Sequence, residues 1–130
     1  MASNERTLEI RITLLNPVQV GNRKIEGEFS YSHGSARVRK NDEVVWWSVQ
    51  GPFAVHFGQG SPFKDALISS NPPVPNDQGD LVWRTDPLKI KGRITGQGLH
   101  YMVAMCRRHP SDPKLDKVFV DSCPVILDEC

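Results

Sequence analysis

The chain has 130 residues, and its 16 Lys and Arg against 15 Asp and Glu leave a formal net charge of +1. That length suits a single domain, residues 1–130, able to bury a core without disulfides or metals. The near-neutral balance excludes a general electrostatic case for nucleic acid or an anionic membrane.

The amino terminus carries Glu5, Arg6, Glu9 and Arg11 where a secretory leader would need an uninterrupted apolar run, and no later stretch approaches membrane-spanning length. Cys106, Cys123 and Cys130 form an odd set without paired metal-ligand spacing. Reduced thiols and a cytoplasmic location are therefore expected.

Along the chain, Leu8, Ile10, Ile12 and Leu14 alternate with Glu9, Arg11 and Thr13, which predicts a half-buried first strand. Asn16-Pro17 ends it. A second, Gly-interrupted strand is expected over Ile25 to Tyr31, and a short one over Ser35 to Lys40 leading into an Asn41-Asp42 turn. Val44 to Val49 is rich in β-branched and aromatic residues, Gln50-Gly51-Pro52 breaks it, and Phe53 to Phe57 alternates. Phe53, Val55 and Phe57 then face one way and Ala54 and His56 the other.

From Gly58 to Gly79 the composition shifts to Gly, Ser, Pro, Asn and Asp, which predicts one long loop. A helical turn over Pro62 to Ile68 is expected to cap one end of the domain. Strands resume at Leu81 to Arg84, Leu88 to Ile94, Leu99 to Cys106, Lys117 to Val120 and Val125 to Leu127. About seven or eight short strands with little helix predict an all-β, Greek-key β-sandwich.

Adjacent Trp46 and Trp47 must face opposite sides of their strand, so one enters the core and the other needs a cover or a partner. Trp47, with Trp83 and Phe63, is thus a candidate ligand or partner surface. Arg107 and Arg108, in the basic stretch RRHPSDPK, extend that surface. Arg37, Arg39, Lys40 and Lys114 add further positive charge, but Asp42, Glu43 and Asp112 interleave with it, as on a solvated face. Asp77, Asp80 and Asp86 lie in or beside the long loop without a defined calcium-ligand pattern. Cys106 and His109 pair a thiol with an imidazole, the minimum for a cysteine-dependent enzyme, and Asp112 could orient the ring.

Three pieces of the chain resemble cupredoxins. Asn41-Asp42 followed by Val44-Val45-Trp46 is similar to that family's Val-x-Trp strand. Gly98 to Val103 resembles its Gly-x-Tyr strand, and Cys106-Arg107-Arg108-His109 has its Cys-x-x-His spacing. The resemblance implies a mononuclear, type 1-like copper site for electron transfer at His56, Cys106 and His109. Against it, Phe53 stands where the family carries its first histidine, with His56 three residues later on the opposite strand face. Tyr101 and Cys106 are five residues apart, again an odd spacing that turns them opposite ways.

Val44-Val45-Trp46, Phe53 to Phe57 and Ser61-Pro62-Phe63 are more similar to copper-free bacterial cupredoxin-like domains. The leading expectation is accordingly a non-enzymatic binding or protein-interaction domain without a cofactor. Its partner is another protein or a small ligand, and a homodimer through strand edges is compatible with the pattern. The copper protein, and more remotely the cysteine enzyme, are the alternatives.

Overall fold

The computed structural model describes residues 6–33, 35–58, 61–91, 98–107, 109, 111–121 and 125–128. Alternation in the first strand sets the architecture: β1 (Thr7–Leu14) buries Ile10, Ile12 and Leu14 and turns Glu9 and Arg11 outward. β2 (Val18–Val20) and β3 (Arg23–Ile25) form a small hairpin across Gly21, whose φ of 59° suits glycine. β4 (Phe29–Tyr31) then returns antiparallel to β1. The single strand expected over 25–31 is therefore two pieces, because Gly27 takes φ 87° between them.

After β5 (Ser35–Val38), the chain turns at Asn41, whose φ is 75°, and Asp42. The Asp42 carboxylate accepts the Arg39 amide at 2.8 Å and the Arg6 guanidinium Nε at 3.1 Å, which launches β6 (Glu43–Ser48) beside β1. These two strands pair in parallel, from Thr7 opposite Glu43 to Arg11 opposite Trp47.

The Gln50-Gly51-Pro52 corner carries the chain from β6 to β7 (Phe53–His56) and onto a different sheet. Its residues are set by neighbours as well as by turn preference. The Gln50 side-chain amide bonds the Leu14 backbone through both its oxygen and its nitrogen, standing in for a strand partner. A Cβ on Gly51 would lie 2.0 Å from the Cys106 carbonyl oxygen.

The 58–79 stretch departs from expectation in holding β8 (Leu67–Ser69) and β9 (Val74–Pro75). β8 pairs with β7, and β9 pairs with β10 (Leu81–Arg84) through a turn in which the Asn76 Oδ1 accepts the Gln78 and Asp80 amides. Proline is tolerated in β9 because that strand is an edge. Residues 62–66 bend rather than form the expected helical turn. The Ser61 hydroxyl accepts the Phe63 amide and donates to the Asp65 carbonyl, local bonds that compete with a helix.

β11 (Leu88–Lys89) joins the same side of β6 as β10. Thr85 fills the gap between them, its hydroxyl accepting the Trp46 amide at 3.1 Å and its own amide donating to the Trp46 carbonyl. β12 (Leu99–His100) and β13 (Met102–Arg107) flank Tyr101, and a short 3-10 turn (Pro113–Leu115) leads to β14 (Lys117–Asp121) and β15 (Val125–Asp128).

The fold is all-β, with fifteen strand segments among the described residues. Many have only two or three residues, which is why their number exceeds the longer strands expected. One sheet runs β4-β1-β6-β10-β9, a second runs β14-β13-β7-β8, and β12-β15-β5 makes a third.

Inward residues of the first two sheets and of β5 meet in one core built on Trp46, which is fully buried. The Phe63 and Tyr101 rings approach its indole edge-on, with centroids 5.7 Å and 5.4 Å away, and Phe57 closes the cluster. Edge-on aromatic pairs of this kind add about 0.5–1.5 kcal/mol each beyond area burial.

Candidate functional site

The second sheet has an unusual outer face. In β13 the inward positions are Val103 and Met105, both buried, which leaves Met102, Ala104 and Cys106 outward. Register carries that parity across the sheet. Val120, Ala104, Ala54 and Ser69 form a central row, Val118 lies opposite Cys106 on one side of it, and Met102, His56 and Leu67 form a row on the other. Leu67, Met102, Val118 and Val120 are each 43–66% exposed. None of these outward positions carries Asp, Glu, Lys or Arg.

The first sheet is finished differently. Outward from β1, Glu9 accepts a 2.8 Å ion pair from Arg84, and the Arg11 guanidinium stacks 5.0 Å from the centroid of Trp47. Trp47 is half-buried there, with Arg11 and Arg84 as its register neighbours. The cover that the sequence required for it is thus a cation from the adjacent strand.

Trp83 and Phe63 are not surface residues. Both are buried members of the core, Trp83 opposite Ser48 on the inner side of β6 and Phe63 against Trp46. The pattern that offered them as ligand surface was local, whereas the bends after Ser61 and the β6–β10 pairing turn them inward. Arg107 lies at the end of β13, its guanidinium donating to Asn16 Oδ1 at 3.2 Å. Arg108, like Cys123 and Cys130, lies outside the described residues.

His56, Cys106 and His109 are not brought together. His56 pairs with Met102, and Cys106 is four positions further along β13, about 13 Å away at the usual strand rise. His109 follows Cys106, and its Nδ1 accepts the Ser111 and Asp112 amides at 3.2 Å and 3.1 Å. The expected opposition of Tyr101 and Cys106 is seen, since Tyr101 is buried inward while Cys106 faces out opposite Val118. Among the described residues no group of three His, Cys, Asp or Glu side chains is placed to hold a metal ion. Asp77, Asp80 and Asp86 are tied to turn geometry: Asp80 closes the Asn76 turn, and Asp86 accepts from Asn71 Nδ2 at 2.8 Å.

Burial and hydrogen bonding tune two groups. Burial pushes the Tyr101 phenol up to about 12, opposed by the hydrogen bond from Trp46 and reinforced by the nearby Asp121 carboxylate. Burial alone would raise the Asp42 carboxyl, yet the Arg39 amide and Arg6 together hold it below its ordinary value. Both groups serve structure.

The residues of the outer face were missed as a site, although a signal was present. Tyr101-Met102-Val103-Ala104-Met105-Cys106 is apolar at every position, which marks a strand covered on both faces rather than one. Comparison with protein families, with characterised proteins and with solved structures finds no match to this chain.

Proposed function

We propose that this chain is a non-enzymatic protein-interaction domain on a cupredoxin-like β-sandwich scaffold, and that it docks through the outer face of the β14-β13-β7-β8 sheet. The carrying observation is the contrast between the two outer faces: one is completed by an ion pair and a cation over Trp47, the other has no Asp, Glu, Lys or Arg and exposes Leu67, Met102, Val118 and Val120. Contiguous exposed apolar surface of this kind marks association sites. The scaffold reading rests on two sheets sharing the Trp46 core and on the parallel pairs β1–β6 and β5–β15.

The occupant this face fits is a second copy of itself. A two-fold axis lying along the strands, between β13 and β7, sets each Ala104 over the partner's Ala54 and each Val120 over the partner's Ser69. Small residues at the centre let the sheets approach closely, and such an interface is self-complementary. The face spans roughly 15–20 Å on a side by strand spacing and rise. That is at the small end for protein interfaces, so association should be weak and concentration-dependent.

Sedimentation velocity across a concentration series tests this. The wild-type chain should shift toward dimer as concentration rises, and the folded Val118→Lys/Val120→Lys variant should remain monomeric throughout. A wild-type chain that stays monomeric at every concentration, or a variant that associates equally well, overturns the proposal.

A further inference from the structure

Away from the docking face, the inner side of the β13–β14 pair runs past the core and ends on charge. Met105 lies opposite Phe119, and one step further Arg107 lies directly opposite Lys117. Like charges directly opposed on antiparallel strands are unfavourable unless an anion sits between or beside them. Among the described residues the chain supplies two carboxylates here: Glu26, which faces Lys117 Nζ at 3.4 Å and is shared with Lys24 at 3.7 Å, and Asp116, whose Oδ1 accepts the His109 amide at 2.6 Å. Among the described residues the Arg107 guanidinium donates to the neutral oxygen of Asn16, so this end of the sheet keeps an excess of positive charge.

Glu26, Arg107 and Lys117 line a cleft of about 230 Å³ that also includes His109, Leu115 and Phe119. With Nδ1 of His109 accepting backbone amides, its ring proton resides on Nε2, a donor. Phe119 and Leu115 add apolar wall. Gly27 closes the far side of Phe119, where a Cβ would come within 2.9 Å of the ring. The volume is below that of a drug-sized pocket and suits a fragment-sized ligand.

We propose that this cleft binds a small aromatic carboxylate. The carboxylate lies between Arg107 and Lys117 within reach of the His109 Nε2 proton, and its ring lies against Phe119 and Leu115. Charge-assisted hydrogen bonds from a guanidinium and an ammonium give the anion its preference, and the apolar wall gives the ring its own.

Titration with benzoate, followed by nuclear magnetic resonance of the folded chain, tests the site. Saturable shifts should appear at the Phe119 ring and the Arg107 side chain. Benzyl alcohol, of similar shape but uncharged, should bind about tenfold more weakly or worse, as should benzoate to the Arg107→Gln/Lys117→Gln variant, given the strength of charged hydrogen bonds. Inorganic phosphate should also bind more weakly, because it cannot use Phe119. The proposal is overturned if benzoate gives no saturable shift at these residues, if benzyl alcohol or phosphate binds as well as benzoate, or if the double variant keeps full affinity. Because both substitutions lie off the Ala54–Ala104 face, failure here leaves the association test unaffected.

Discussion

Trp46 and Tyr101 link the two main sheets through a hydrogen bond in the core, the indole Nε1 donating to the phenolic oxygen at 3.2 Å. The donor belongs to β6, and the acceptor immediately precedes β13. Tyr101→Phe leaves the buried indole N–H without this acceptor while keeping the ring, and should cost about 1–3 kcal/mol in chemical denaturation.

The same tyrosine makes stability fall at high pH. Its folded value, about 12, lies above the ordinary value of 10.0, so its contribution is complete below pH 10 and is lost as pH rises from there through 12. A rise of that size corresponds to roughly 2–3 kcal/mol. Denaturant midpoints measured over that range should decline less steeply in Tyr101→Phe than in the wild-type chain.

Asp42 acts at the opposite end of the pH scale. Its carboxyl is held below the ordinary value, so its stabilisation is present above that value and disappears as pH falls through the lowered folded one. Asp42→Ala removes the acceptor of the Arg39 amide and the ion-pair partner of Arg6 Nε. The variant should lose about 1–3 kcal/mol at neutral pH and show a flatter acid limb in the same denaturation series.

Gly51 and Gly79 separate steric exclusion from backbone strain. A methyl at Gly51 collides with the Cys106 carbonyl oxygen at 2.0 Å, whereas nothing lies within 4 Å of one at Gly79, where φ is 84°. Gly51→Ala should therefore cost about 3 kcal/mol or more, or prevent folding. Gly79→Ala should cost about 1 kcal/mol, the ordinary penalty for a left-handed alanine. Thermal unfolding of the two variants gives the comparison.

Strong periodicity made much of the fold legible. The alternation of Leu8 to Leu14, the Asn41-Asp42 turn, the Gln50-Gly51-Pro52 corner and the Phe53 to Phe57 face all occur in the structure. The 58–79 stretch was misread because its pairings are made by few residues: Leu67–Ser69 against β7, and Val74–Pro75 at an edge that tolerates proline. Local composition cannot register strands whose partners lie elsewhere in the chain.

The candidate site was less legible for a related reason. Tryptophan and phenylalanine signal binding surface and core alike, and only the β6–β10 register and the Ser61 bends assign Trp83 and Phe63 to the core. The centre of the open face is instead made by Ala54, Ala104, Val118 and Val120, aliphatic residues with no chemistry of their own. Their meaning arises from their outward parity. The cleft beside Phe119 depends on Glu26 meeting Lys117 across 91 positions of sequence, which no local pattern encodes.

The most direct test of the docking face is an isotope-filtered nuclear Overhauser experiment on a mixture of labelled and unlabelled chain at the highest soluble concentration. Contacts between the Ala104 methyl of one copy and the Ala54 methyl of another are predicted, and they should vanish in Val118→Lys/Val120→Lys. Intermolecular contacts confined to other surfaces, or none at all, would contradict the account.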